Sequence, residues 1–485
     1  MANATFPFPE NLWIMIPEMI IAVMAMTLLL VDLFVAKDKK YLIAYATIAS
    51  CVLAIVALLN IQSADGLMTF YGYFVYDPFA VFAKILILVA TVFTVILSLD
   101  FMKDEENVGE YYCLILFAVL GMMLMASSNN FITFYLGLEL MALSIYVLVA
   151  YQRDVLRSTE AALKYFILGS LSSGMLLYGV TFLYGVTTSF DFNAIGQALA
   201  STNASAHIAV MLGMLFVIAG MAFKVSVAPF HMWTPDTYEG APTPVTAFMS
   251  VAPKVAGFVV FMRVLVDAMP AIQHDYTQVL IVLAGLTIIV GNVAAIAQRN
   301  IKRMLAYSTV GHVGFVLLGL IAANQEGYTG ALMYLTIYLF MNMGVFAIII
   351  LMRRDGIQGE LIDDFAGLSR VRPGYALAMG LLLFSLAGIP FLAGFWAKLL
   401  VIAAVIKAGH LYLGVLAIVF SVVGSFYYLR LIKYMYFDEE RVTFNFIENN
   451  GMRFSVVVCA LAVVVLGLYP DPVIAICKNA LVGLI

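Results

Sequence analysis

The chain has 485 residues, of which 64% are hydrophobic and only 11% charged, and its mean hydropathy is +1.03. Soluble globular chains carry roughly 25% charged residues, so this one cannot cover itself with a water-facing surface and must face lipid. Its net charge of −4 says little by itself, because in a membrane protein the placement of charge matters more than its sum; nucleic acid is not expected as a partner.

Apolar runs recur from end to end. The first, from Leu12 to Ala36, exceeds the roughly 7–15 residues of a signal-peptide core and has no small-residue cleavage site after it, so it is expected to stay as a helix. Crossing a hydrocarbon layer about 30 Å thick takes roughly 20 helical residues. Runs of that kind predict spans at 11–35, 41–62, 75–101, 110–127, 129–151, 160–187, 206–238, 243–269, 276–298, 302–322, 328–352, 373–408, 411–436 and 453–483. The expected class is an all-α integral membrane protein of about fourteen transmembrane helices. The seventh and twelfth spans are too long for one straight crossing, and each holds an internal proline, Pro229 and Pro390.

Sorting basic residues by side tests this topology, because Lys and Arg collect on the cytoplasmic face. Lys37, Lys39, Lys40, Lys103, Arg153, Arg157, Arg299, Lys302, Arg303, Arg353, Arg354, Arg370, Arg372, Arg430, Lys433, Arg441 and Arg453 all fall on one side, whereas the other receives only Lys407 and Lys478. An error of one helix would scramble that split. Both termini are therefore expected outside, opposite the cytoplasmic face, which is the periplasmic side if the membrane is a bacterial inner membrane. The longest loops, 353–372 and 437–452, read as solvated or docked on a neighbour, with no chemical role.

Cys51, Cys113, Cys459 and Cys477 sit in or beside apolar runs without the paired spacing that holds zinc or an iron–sulfur cluster, and read as small buried apolar residues. No glycine-rich phosphate loop follows a strand, so no nucleotide or flavin site is expected. No metal site is expected either.

Ionisable residues inside spans carry the chemistry. A charged side chain at the bilayer centre costs at least about 2.5–3.5 kcal/mol, and such residues face internal cavities and serve transport. Glu139 is placed mid-way along span five, Lys224 just before the break in span seven, Lys254 about ten residues into span eight, and Lys398 in the second half of span twelve. Burial without a counter-charge loosens a lysine's hold on its proton, and pairing restores it. A lysine whose acid can approach or retreat is thus a pump element. The bland alternative, a static Glu139–Lys224 ion pair that fixes helix packing, leaves Lys254 and Lys398 without an account.

The breaks strengthen the functional reading. Proline frees backbone carbonyls that lipid cannot satisfy, so broken helices are tolerated only inside protein or against a wet cavity. Both breaks lie near a lysine, Lys224 before Pro229 and Lys398 after Pro390. His231 and His312 are placed to be buried, and relay and structural roles stand even for both. Lys164 either feeds protons toward Lys224 or pairs with Glu160 and snorkels. Lys84, Arg263, Glu18 and Asp32 lie closer to span ends and are expected to snorkel as structural residues.

The run Gly-Met-Ala-Phe-Lys-Val-Ser-Val-Ala-Pro-Phe-His-Met-Trp-Thr-Pro-Asp-Thr-Tyr-Glu-Gly-Ala-Pro-Thr-Pro-Val, residues 220 to 245, closely resembles the antiporter-like membrane subunits of respiratory complex I, the proton-pumping NADH-quinone oxidoreductase, and specifically its N subunits. The segments around Glu139, Asn300–Ser308 and Ser385–Pro390 continue the resemblance. The broken helices 7 and 12 are five apart and so cross in opposite directions, as expected if helices 4–8 and 9–13 form two inverted-topology repeats. The implied divisions are 1–109, 110–270, 271–437 and 438–485. The resemblance also implies Glu139 and Lys224 as a coupled pair, Lys254 as central relay and Lys398 as the terminal lysine. Other membrane subunits of the complex would be partners, and NADH, FMN, iron–sulfur clusters and quinone would be bound by other subunits. A multi-subunit sodium/proton antiporter shares these lysines and stays open as an alternative. An organic-solute carrier and a non-transporting scaffold are more distant ones.

Overall fold

The computed structural model describes residues 10–36, 39–61, 66–103, 107–201, 207–352, 359–439 and 449–484; Lys37, Arg353, Arg354 and Arg441 fall outside them. In chain order the helices are α1 (Ile16–Asp32), α2 (Tyr41–Asn60), α3 (Pro78–Ser98), α4 (Val108–Ala126), α5 (Phe131–Val149), α6 (Leu156–Thr187), α7 (Phe192–Ser201), α8 (Ile208–Val225), α9 (Trp233–Gly240), α10 (Thr243–Arg263), α11 (Gln273–Ile296), α12 (Ile301–Ala322), α13 (Gln325–Leu351), α14 (Leu368–Val371), α15 (Pro373–Ala387), α16 (Ala393–Lys407), α17 (Leu411–Phe437), α18 (Asn450–Leu468) and α19 (Asp471–Ala480). A small antiparallel ribbon, β1 (Leu67–Thr69) with β2 (Phe74–Tyr76), joins α2 to α3 with Leu67 opposite Tyr76. This ribbon and the short α7 are additions to the expected all-helical plan.

Thirteen helices among the described residues are long and apolar enough to cross a membrane. The remaining crossing is shared. α15 and α16 have 15 residues each, about 22 Å at 1.5 Å per residue, too short singly for the hydrocarbon layer but sufficient in sequence. The expected fourteen-helix membrane fold is thus present. The final span is shorter than expected: it ends at Leu468, because Tyr469 precedes Pro470 and leaves the helical region (φ −136°, ψ 76°), and α19 follows as a separate helix.

α10 lies at the centre, buried from Pro244 to Arg263, with α12 and α13 almost as deeply enclosed. α1, α2, α17 and α18 are peripheral and show large apolar side chains outward, such as Leu30, Leu53, Val422 and Leu461. In lipid this is the low-energy surface. The four cysteines are free and buried, as expected.

Both broken helices end in the left-handed residue that closes a helix without continuing it, Ser226 (φ 70°) after α8 and Gly388 (φ 88°) after α15. The backbone groups released at the breaks find partners inside the protein. Trp233 Nε1 donates to the Phe223 carbonyl at 3.0 Å, and Thr287 Oγ1 accepts from the Ala228 amide at 2.9 Å. At the second break Ser385 Oγ accepts from the Gly394 amide at 3.0 Å, and Lys398 Nζ donates to the Ala387 carbonyl at 2.9 Å. That accounting is what membrane depth demands of irregular backbone.

Candidate functional site

α5, α6 and α8 bring Glu139 and Lys224 to opposite sides of one hydroxyl. Ser173 Oγ donates to Glu139 Oε1 at 2.5 Å and accepts from Lys224 Nζ at 3.0 Å. The expected coupled pair therefore meets through Ser173, a residue that sequence reading missed. Lys224 is 8% exposed. Glu139, expected to be buried, is only half-buried, because it flanks the outward stripe of α5 that carries Leu136 and Leu143. Spacings of three and four residues put all three on neighbouring positions of that helix.

Lys254 is 1% exposed. Its Nζ lies 2.5 Å from Ser226 Oγ, 3.5 Å from the Lys224 carbonyl and 4.9 Å from the Trp233 ring centre. Ser226 also accepts from Thr234 Oγ1 at 2.7 Å, so one serine ties Lys254 to both sides of the first break. Lys398, 8% exposed, meets Ser421 Oγ at 3.0 Å as well as the Ala387 carbonyl. All three lysines thus rest on a serine hydroxyl and none on a carboxylate.

Between Lys254 and Lys398 the interior is lined with hydroxyls. Tyr238 neighbours Thr309 and Tyr338, whose oxygens are 2.8 Å apart. His312 is buried with both ring nitrogens engaged, Nδ1 with Tyr334 Oη at 2.6 Å and Nε2 with Tyr428 Oη at 2.9 Å. Tyr428 Oη bonds Ser308 in turn. Phe315, one turn beyond His312, stacks on Tyr334 and lies 5.1 Å from Lys398 Nζ. His312 is thereby joined to the lysine row. His231 is half-buried beside Tyr307 and touches none of the three lysines.

Lys164 is not in the row. It is 47% exposed and paired with Glu160 at 2.8 Å and Asp236 at 3.1 Å, at the arginine-rich side of the molecule. There a network spans four elements: Arg303 contacts Asp236 and Glu239, Arg157 contacts Glu239 and Glu360, and Lys302 contacts Glu360 at 2.7 Å. Burial opposes the Glu360 charge, but Lys302 and Arg157 outweigh it and hold the carboxyl below its usual range. Glu360 was expected to have no specific role. Arg157, Glu239, Thr243, Lys302 and Glu360 line a cavity of about 60 Å³ there. From its rim Thr243, Thr246, Ser250 and Lys254 follow one another on α10 at spacings that share one helical face.

The expectation that Lys84, Arg263 and Glu18 snorkel is wrong. Lys84 and Glu18 pair at 2.6 Å with 0% and 2% exposure, and Arg263 grips both oxygens of Asp77 at 3.1 and 2.9 Å. A counter-charge within reach inside the bundle removes the incentive to reach headgroups. Asp32 does stay near the surface, paired with Lys40 at 3.2 Å.

Residues 128–425 match the family model described as "NADH:quinone oxidoreductase/Mrp antiporter, TM". NADH-quinone oxidoreductase subunit N of Thioalkalivibrio sulfidiphilus is 43% identical across 98% of this chain and 99% of its own. That of Parvibaculum lavamentivorans is 47% identical across 90% of each. The chain belongs to the NADH-quinone oxidoreductase subunit N family. A chain of respiratory complex I from Thermus thermophilus superposes with a TM-score of 0.80 at 31% identity, covering 95% of this chain and 98% of that one. A chain of the Mrp complex from Dietzia sp. shares the fold alone, with a TM-score of 0.82 at 20% identity over 98% of each chain. Full-length identity thus places the chain with subunit N and not with the antiporter alternative. The family model spans Ser173, Lys224, Lys254, Lys398, His312 and Tyr334, while Tyr428 lies just beyond its end.

Proposed function

We propose that this chain moves protons across the membrane as a non-redox subunit of an NADH:quinone oxidoreductase, with NADH, flavin, iron–sulfur clusters and quinone held by other subunits. The carrying observation is the row of Lys224, Lys254 and Lys398, each buried and each held by a serine hydroxyl in place of a carboxylate. Without a touching counter-charge a buried ammonium is poised to give up its proton. Among the described residues of this row Glu139 supplies the acid, and its half-exposed flank on α5 leaves it within reach of a neighbouring membrane subunit.

The arginine-rich side is taken as cytoplasmic and both termini as periplasmic, from the distribution of basic loop residues. A proton arrives through the cavity at Glu360 and Lys302 and follows Thr243, Thr246 and Ser250 to Lys254. Quinone chemistry elsewhere shifts the neighbour of Glu139, the carboxylate's hold on Lys224 changes, and Lys254 responds across the Lys224 carbonyl and Ser226. The proton then crosses by way of the His312 hydroxyl cluster toward Lys398. These groups titrate together, so no single step belongs to one residue.

The test is NADH-driven proton uptake by inverted vesicles carrying Lys224→Ala, with assembly checked by mass spectrometry of the purified complex. Translocation per electron pair is expected to fall. Full translocation in an assembled Lys224→Ala complex would mean that the chain is a scaffold.

A further inference from the structure

We propose that the Ser173 hydroxyl is the proton-carrying bridge between Lys224 and Glu139. The inference rests on the proton-translocating reading above and deepens it. A serine hydroxyl is at once one donor and an acceptor, and Ser173 uses both capacities, giving to Glu139 Oε1 and receiving from Lys224 Nζ. It is itself 4% exposed, so bulk water does not compete for either bond.

The helix packing fixes this placement. On α8, Gly220 stands one turn before Lys224, and a Cβ there would strike Leu176, three residues beyond Ser173 on α6. Gly179 and Gly213 make a second close approach between the same two helices. The neighbouring Ser172 Oγ donates to the Gly220 carbonyl at 3.2 Å. α6 and α8 are thereby locked at the level of the bridge, and the serine hydroxyl needs only to turn about its own bond. Ser226 and Ser421 hold the other two lysines in a similar way, but neither has an acid on its far side. Ser173 alone among these serines joins a base to a carboxylate.

The transfer balances without a co-reactant. One Lys224 Nζ–H bond breaks as a hydrogen joins Ser173 Oγ, and the original Oγ–H bond breaks as its hydrogen joins Glu139 Oε1. An ammonium, a hydroxyl and a carboxylate become an amine, a hydroxyl and a carboxylic acid. Charge separation across the bridge is erased in one concerted step and restored in the reverse one.

The experiment compares Ser173→Ala, Ser173→Thr and Ser173→Val in the assembled complex, reading protons translocated per electron pair and the rate in H2O against D2O. Ser173→Ala is expected to slow translocation about a hundredfold or more, the low end of the usual contribution of a proton-transfer group. Thr should restore it to within about twofold and recover the solvent isotope effect, while Val, of the same size without the hydroxyl, should not. If Ala fails to assemble, the Thr and Val pair decides. Wild-type translocation in Ala or Val, or Thr as poor as Val, overturns the proposal. Lys224→Ala is run beside them: if it also translocates normally, the proton-translocating reading itself fails, and if it alone is dead, only the role of Ser173 does.

Discussion

Glu139 and Lys224 face each other across a serine, 2.5 Å from one and 3.0 Å from the other, and no direct ion pair between them is present. The lysine is therefore held by a dipole whose orientation the carboxylate sets. Replacing Glu139 by Gln keeps the shape and removes the charge. A hydrogen bond to a charged group contributes about 1.5–3 kcal/mol, so coupled translocation by Glu139→Gln is expected to drop by roughly tenfold or more. Vesicle proton uptake with intact assembly measures it; an unchanged rate would remove Glu139 from the mechanism.

The second break depends on a close backbone approach. Gly394 donates its amide to Ser385 Oγ, and a Cβ at 394 would run into the Ser385 carbonyl. Gly394→Ala must push α16 away from α15 and carry Lys398 with it. Overpacking of this kind costs about 1–3 kcal/mol. The purified complex should melt earlier and lose translocation, whereas Gly374→Ala, where a Cβ meets nothing, should leave both unchanged.

The loop that carries Glu360 gives a pH dependence. Its carboxyl is held below the ordinary value by Lys302 and Arg157 against the opposing effect of burial. A depressed carboxyl stabilises the fold fully above its unfolded value, about 4.3, and that contribution is lost as pH falls through the lower folded value. The latch is visible at two amides, Ile301 donating to the Glu360 carbonyl at 2.7 Å and Ile362 to the Arg299 carbonyl at 3.0 Å. Hydrogen exchange there, corrected for its intrinsic pH dependence, should be slow at pH 7 and lose protection below about 4. Glu360→Gln should show the fast exchange already at pH 7. Slow exchange in that variant would mean the ion pairs do not hold the loop.

The lysine row was legible because charge is so costly in a long apolar run that its presence there needs a reason. The breaks were legible from span length more than from proline, since Pro253 sits inside α10 without ending it. Ser173, Ser226 and Ser421 were invisible: serine is common in membrane proteins, and only the meeting of α6 with α8, of the end of α8 with α10, and of α16 with α17 gives these three a partner. Glu139 was misjudged for a related reason. Its run reads as uniformly apolar, so nothing in the sequence separates the face of α5 that packs inward from the stripe of Leu136 and Leu143 that does not. The snorkelling expectation for Lys84 failed because its partner Glu18 is far away in sequence, and depth along a span was the only cue available.

That buried pair supplies the sharpest stability test. Lys84 and Glu18 are almost wholly removed from solvent, with Phe74 and Tyr76 rings 4.7 and 5.6 Å from the ammonium. Removing one partner strands a charge in the bundle, at a cost of about 3–5 kcal/mol, whereas replacing both with apolar groups of similar size is near neutral. Glu18→Leu alone should therefore impair assembly or lower the melting temperature, and adding Lys84→Met should recover it. Proton translocation by the recovered double variant separates two roles. If it pumps normally, the pair fastens α1 to α3 and nothing more; if it assembles and does not pump, the polar path extends into the first three helices, beyond the lysines described above.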